Sequence, residues 1–151
     1  MKYPYELLDT DDLNYLSKRY FKFTLTLCVI VEELINYECL SGSYILNLAG
    51  MHWVALYIKN NQCVFFDPFG MPADKEILDF INTRDFIYVD TPIQKMNQYC
   101  CGYYCLLFLY YMNNKFKKNV EYTMNNFISI WDEVEESNND NILQIEIKKL
   151  L

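Results

Sequence analysis

Histidine is nearly absent from this 151-residue chain, which carries a single one, His52. Any chemistry that needs an imidazole must therefore use that residue. Glycine and proline are scarce, at 4 each, which excludes collagen-like and low-complexity classes and points to a compact globule. Positive charge is also short: 13 Lys and Arg stand against 20 Asp and Glu, giving a formal net charge of -7. Strong electrostatic attraction to nucleic acid or to an anionic membrane is not expected of such a chain. The apolar run from Tyr99 to Met112 is 14 residues long, short of the roughly 20 that span a bilayer. The N-terminus lacks the apolar core of a signal peptide, so export is not expected. Six cysteines are present, but there is no C-x-x-C pair and no second histidine at ligand spacing. A zinc site is set aside, and neither metal nor organic cofactor is expected.

What the chain does have is apolar substance. At 52% hydrophobic and 17% aromatic it suits one domain, residues 1–151, with a proper core. Cys28, Cys39, Cys63, Cys100, Cys101 and Cys105 lie mostly within apolar runs, where a free thiol packs as a small hydrophobe. The expectation is a reduced, intracellular protein.

The stretch from Gln94 to Cys105 organises the rest. A polar, turn-prone segment passes into about three turns of nearly charge-free residues, which places a cysteine at the first helical position. The positive end of a helix dipole favours the thiolate, the reactive form of a cysteine. Gly102 follows Cys101 directly and removes a side chain where a substrate carbonyl would approach the backbone. Cys100 competes as nucleophile, but it lacks the following glycine, and one residue of helical rotation points it away from a site that holds Cys101. Cys105 shares a helix face with Cys101 and reads as core.

His52 opens an apolar, partly β-branched run after Gly50, at the leading end of a strand. A second run, Gln62 to Phe66, follows a short polar turn and ends at Asp67 and Pro68, so the two runs read as a hairpin. In an antiparallel pair the start of one strand lies beside the end of the next, which brings His52 and Asp67 to the same end. An acid there can hold the imidazole in one tautomer. Each residue also has a plainer reading. A lone histidine beside a tryptophan is ordinarily packed, Asp before Pro is a common turn former, and a single glutamine such as Gln94 is ordinarily exposed. Only the combination with Cys101 outweighs these.

The remaining pattern predicts a first helix from Asp9 or Thr10 to about Tyr20, an extended segment over Phe23 to Val31 and a strand over Ser43 to Leu48. It continues with a helix over Ala73 to Asn82, a strand over Phe86 to Val89 and a helix over Tyr122 to Val134. The polar Glu135 to Asn141 reads as a loop or linker before a terminal segment from Ile142. The chain has no internal repeat.

Taken together, Gly50-Met51-His52-Trp53, then Phe66-Asp67-Pro68-Phe69-Gly70, then Gln94 with Cys101-Gly102 seven residues on, resemble the adenovirus-type (adenain-like) maturation cysteine proteases and their relatives in virophages and polinton-like elements. More distantly they resemble the proteases that remove ubiquitin-like modifiers. The strong matches cover roughly residues 43 to 108. The resemblance implies an α+β, papain-like fold with a central helix packed on a mainly antiparallel sheet. It assigns His52 as general base, Asp67 as the acid that orients it, Cys101 as nucleophile and Gln94 as oxyanion-hole donor. It further implies cleavage of viral precursor or capsid proteins during particle maturation, in the cytoplasm or virus factory of an infected cell, with the virion as a further destination. In adenovirus relatives, DNA and a peptide disulfide-linked upstream of the oxyanion glutamine raise activity. No cysteine lies between Asn82 and Ile93 here, which leaves independence or a noncovalent activating partner. A ubiquitin-like-modifier deconjugase of the same fold and a catalytically inactive binding or scaffold protein are the alternatives.

Overall fold

The computed structural model describes residues 7–94, 100–131 and 138–150. Five strands form one sheet in the order β1-β2-β3-β4-β5: β1 (Leu27–Ile30), β2 (Gly42–Leu48), β3 (His52–Lys59), β4 (Gln62–Phe66) and β5 (Asp85–Val89). The inner pairings β2 to β3 and β3 to β4 are antiparallel. The outer two, β1 to β2 and β4 to β5, are parallel, so the sheet is mixed, with its antiparallel part in the middle. The β3–β4 hairpin turns through Asn60, whose φ of 56° suits a tight connection between twisted strands.

β3 is buried on both sides, and its alternation sorts its residues. Trp53, Ala55 and Tyr57 join one core, while Val54, Leu56 and Ile58 join the other. The first core is closed by helix α3 (Cys101–Asn114), together with α1 (Thr10–Arg19), α4 (Val120–Ile128) and α5 (Asn139–Lys148). The second is covered by a 3-10 helix (Val31–Asn36) and α2 (Lys75–Ile81). α3 is apolar all round because it is enclosed all round: every residue from Cys101 to Leu109 is buried.

Several boundaries differ from the sequence reading. Only Leu27–Ile30 of the expected extended segment pairs in the sheet, and the chain then enters the 3-10 helix at Val31. α1 begins with a reciprocal capping box, in which Asp9 accepts from the Asp12 N–H (2.8 Å) and Asp12 accepts from the Asp9 N–H (3.1 Å). α2 stops before Asn82, whose φ of 57° ends it. α4 ends at Ile128, and residues 132–134 of the expected helix lie outside the described residues. The correction with most consequence concerns α5, which starts at Asn139, within the segment read as a loop. Asn139 and Asp140 are both buried there, since each has a polar partner in the core.

Candidate active site

β3 begins at His52 and β4 runs out at Phe66, so the hairpin sets the imidazole beside the turn that follows β4. His52 Nε2 lies 2.7 Å from Asp67 Oδ1. Asp67 is held in place independently: the same oxygen accepts the Phe69 N–H at 2.8 Å, and its carbonyl accepts the Gly70 N–H at 2.8 Å, closing a turn. Gly70 is required in that turn. Its φ is 75°, and a Cβ there would stand 2.7 Å from the Pro92 nitrogen. Phe69 then stacks on the imidazole at 4.2 Å between centroids and 6° between planes, covering one face of the ring.

Cys101 is the first residue of α3, and Sγ accepts the Trp53 N–H at 3.5 Å. The thiol is also close enough to His52 to act on the imidazole. With Nε2 against the carboxylate, Nδ1 is the ring nitrogen left for the thiol. Burial alone would lower the His52 pKa. The hydrogen bonds to Asp67 and Cys101, and the charges of both, outweigh burial and raise it from 6.5 to about 9. The surroundings thus favour the cationic form of the imidazole.

The neighbouring thiols sit in other surroundings. Cys100 is fully buried, with Sγ 3.9 Å from Asp140 Oδ2, and burial followed by the Asp140 charge pushes its pKa to about 12. The buried Cys100 is thereby held in the thiol form. Cys105 donates to the Trp53 carbonyl at 3.4 Å, and burial raises its pKa well above the ordinary thiol value. All six cysteines are free.

Gln94 is buried, and its backbone is tied to the same turn as Asp67: the N–H groups of Ile93 and Gln94 both donate to the Pro68 carbonyl, at 2.8 and 2.9 Å. Residues 95–99, the rest of the path to Cys100, lie outside the described residues. The structure therefore brings His52, Asp67 and Cys101 together and anchors Gln94 to the same turn through the Pro68 carbonyl. Gly102 has a packing reason, separate from the substrate approach expected of it. A Cβ there would stand 3.1 Å from Leu8 Cδ1 and 3.4 Å from Leu13 Cδ2, so its bareness serves the packing of α1 and the segment before it. Trp53, which the sequence reading gave no role, links three parts of the site: its N–H faces Cys101, its carbonyl accepts from Cys105, and its indole N–H donates to the Leu8 carbonyl at 2.9 Å. No group of metal-ligating side chains occurs among the described residues.

Among solved structures, the ASFV pS273R protease superposes with a TM-score of 0.60 at 16% identity, over 90% of this chain and 67% of that one. The chain has a cysteine-protease fold. This protease fold is α+β, as the resemblance implied. The SUMO protease Ulp1, including its complex with Smt3, the yeast ortholog of SUMO, aligns more loosely, with a TM-score of 0.48 at 14% identity, over 95% of this chain and 80% of that one. No family model and no curated protein matches the sequence.

Proposed function

We propose that the chain is a cysteine endopeptidase that cleaves viral precursor proteins during particle maturation, acting in the cytoplasm or virus factory of an infected cell. The observation that carries this reading is the single histidine held to Asp67 at 2.7 Å, with the Cys101 thiol near enough to act on the same imidazole. In the mechanism, His52 takes the proton of Cys101, and the thiolate attacks the scissile carbonyl carbon. The electron pair moves to the carbonyl oxygen, where the Cys101 backbone N–H and the Gln94 side-chain amide stabilise it. Collapse breaks the C–N bond, and the imidazolium gives its proton to the leaving amine. Water, deprotonated by His52, then hydrolyses the thioester and frees the carboxylate and the thiol. Asp67 holds the ring in one orientation. No step needs a metal or an organic cofactor.

The resemblance to the adenain-like proteases supports the viral substrate class, and it favours Gly-containing cleavage sites. The test is peptide-library profiling of the purified chain, with intact ubiquitin-like fusions run in parallel. Cleavage of Gly-containing peptides supports the reading. Preferential cleavage of the fusions would make the chain a deconjugase, and no turnover of either class, with Cys101 inert to a thiol-reactive probe, would make it a binding protein.

A further inference from the structure

The first two residues of α5 reach both chain segments that flank residues 95–99. Asn139, fully buried, donates from Nδ2 to the Ile93 carbonyl at 2.8 Å. The peptide unit between Ile93 and Gln94 is thereby fixed at both ends, its carbonyl by Asn139 and its N–H by the Pro68 carbonyl at 2.9 Å. A peptide plane is rigid, so holding both ends fixes the position of the Gln94 Cα, from which the side chain departs. One residue on, Asp140 accepts the Tyr104 hydroxyl at 2.6 Å and faces Cys100 Sγ at 3.9 Å, which ties α5 to the first turn of α3. Buried polar side chains are costly unless paired, and here both partners are backbone or side-chain groups beside the candidate catalytic residues.

We propose that Asn139 and Asp140 are positioning residues for the reaction: α5 acts as a two-point clamp that sets Gln94 against Cys101 by gripping Ile93 on one side and Tyr104 on the other. This rests on the protease reading above. Neither residue touches substrate. Their effect reaches the oxyanion through Gln94, so it belongs to the transition state and appears in kcat, with KM little changed.

The test has two arms. In the first, backbone hydrogen exchange is compared between the wild type and Asn139→Ala. Exchange at the Ile93 and Gln94 amides should rise at least tenfold, while the β3 amides from Val54 to Ile58 stay as protected as before. Unchanged exchange at residues 93 and 94 would overturn the clamp whatever the enzyme does. In the second, turnover is measured for Asn139→Ala, Gln94→Ala and the double variant. Gln94→Ala should lose about 10²- to 10³-fold in kcat, as deletion of an oxyanion donor does. Asn139→Ala should lose tenfold or more with KM within twofold and with the iodoacetamide alkylation rate of Cys101 unaltered, and the double variant should be no slower than Gln94→Ala alone. Multiplying losses, or a rise in KM in place of a fall in kcat, would overturn the proposal. Tyr104→Phe keeps the ring and cuts the other half of the clamp. It should lower kcat several-fold, and full activity would overturn the part assigned to Asp140. Absence of turnover in the wild type would count against the protease reading instead, with the exchange arm still deciding the clamp.

Discussion

Cys100 and Cys101 differ by one position in the chain and by almost everything in their surroundings. Asp140 and a dry core hold the first as a thiol, while the second has an imidazole within hydrogen-bond reach. Cys101→Ala should therefore remove peptide cleavage, and Cys100→Ala and Cys105→Ala should retain most of it. Turnover of a Gly-containing peptide by the three folded variants is the measurement, and equal loss from Cys100→Ala would move the nucleophile by one residue. At His52 the prediction is a pH profile. Its pKa is raised from 6.5 to about 9, so the interactions of its cationic form are fully present below pH 6.5 and are lost as the pH rises toward 9. Activity should fall on an alkaline limb near pH 9, and the Tm should decline over the same window. Asp67→Asn should move that limb down toward 6.5, because the carboxylate supplies much of the upward shift, and it should flatten the decline in Tm. Asp67→Ala should slow turnover less than His52→Ala does. An Asp67→Ala rate equal to that of the wild type would leave Asp67 with only its turn.

Among elements, the Asp67–Gly70 turn carries the most load, since it orients the imidazole from one end and, through Pro68, anchors the chain that bears Gln94. Gly70→Ala forces a side chain into a positive-φ position 2.7 Å from the Pro92 nitrogen. It should cost about 1–3 kcal/mol of stability, measured by urea unfolding, and should lower kcat by displacing the Pro92 to Gln94 path. Stability and rate both equal to those of the wild type would show that the turn absorbs the change. The β3–β4 hairpin and the start of α3 were legible in the sequence because their signals are local: alternating apolar runs about a polar turn, and a charge-free stretch entered from a polar one. The parallel partners of β2 and β4 were not, because a strand's edge pairing is decided by residues far along the chain. α5 was not read as a helix, and its first three residues were assigned to a loop, for a different reason. Asn139 and Asp140 resemble solvent-facing polar residues until their buried partners are known, although Asn and Asp just before Ile142 and Leu143 are an ordinary helix-start signal. The contact of Leu8 with Gly102 and Trp53 had no local signal at all.

At the scale of the whole molecule, charge and length decide how the proposed protease is controlled. Lys115, Lys117 and Lys118 form the small basic group at the far end of α3, and a 14-residue helix puts them roughly 20 Å from Cys101. About three phosphate contacts on a chain of net charge -7 would bind duplex DNA weakly and lose it at moderate salt. Turnover should therefore be insensitive to duplex DNA at near-physiological ionic strength. A large increase that disappears when the three lysines are replaced would show control by DNA. Chain connectivity adds an order in time. His52 and Asp67 are 15 residues apart within one hairpin, whereas Trp53 meets Cys101 across 48 residues and Leu8 across 45. Local pairs close early and distant ones late, so the base and its acid assemble first and the thiol arrives when α3 docks. In a refolding experiment with pulses of iodoacetamide, Cys101 should acquire its fast alkylation only in the last phase, together with burial of Trp53. A half-folded chain would then carry no working nucleophile, and newly made copies crowded on a ribosome or in an inclusion would be unable to digest one another.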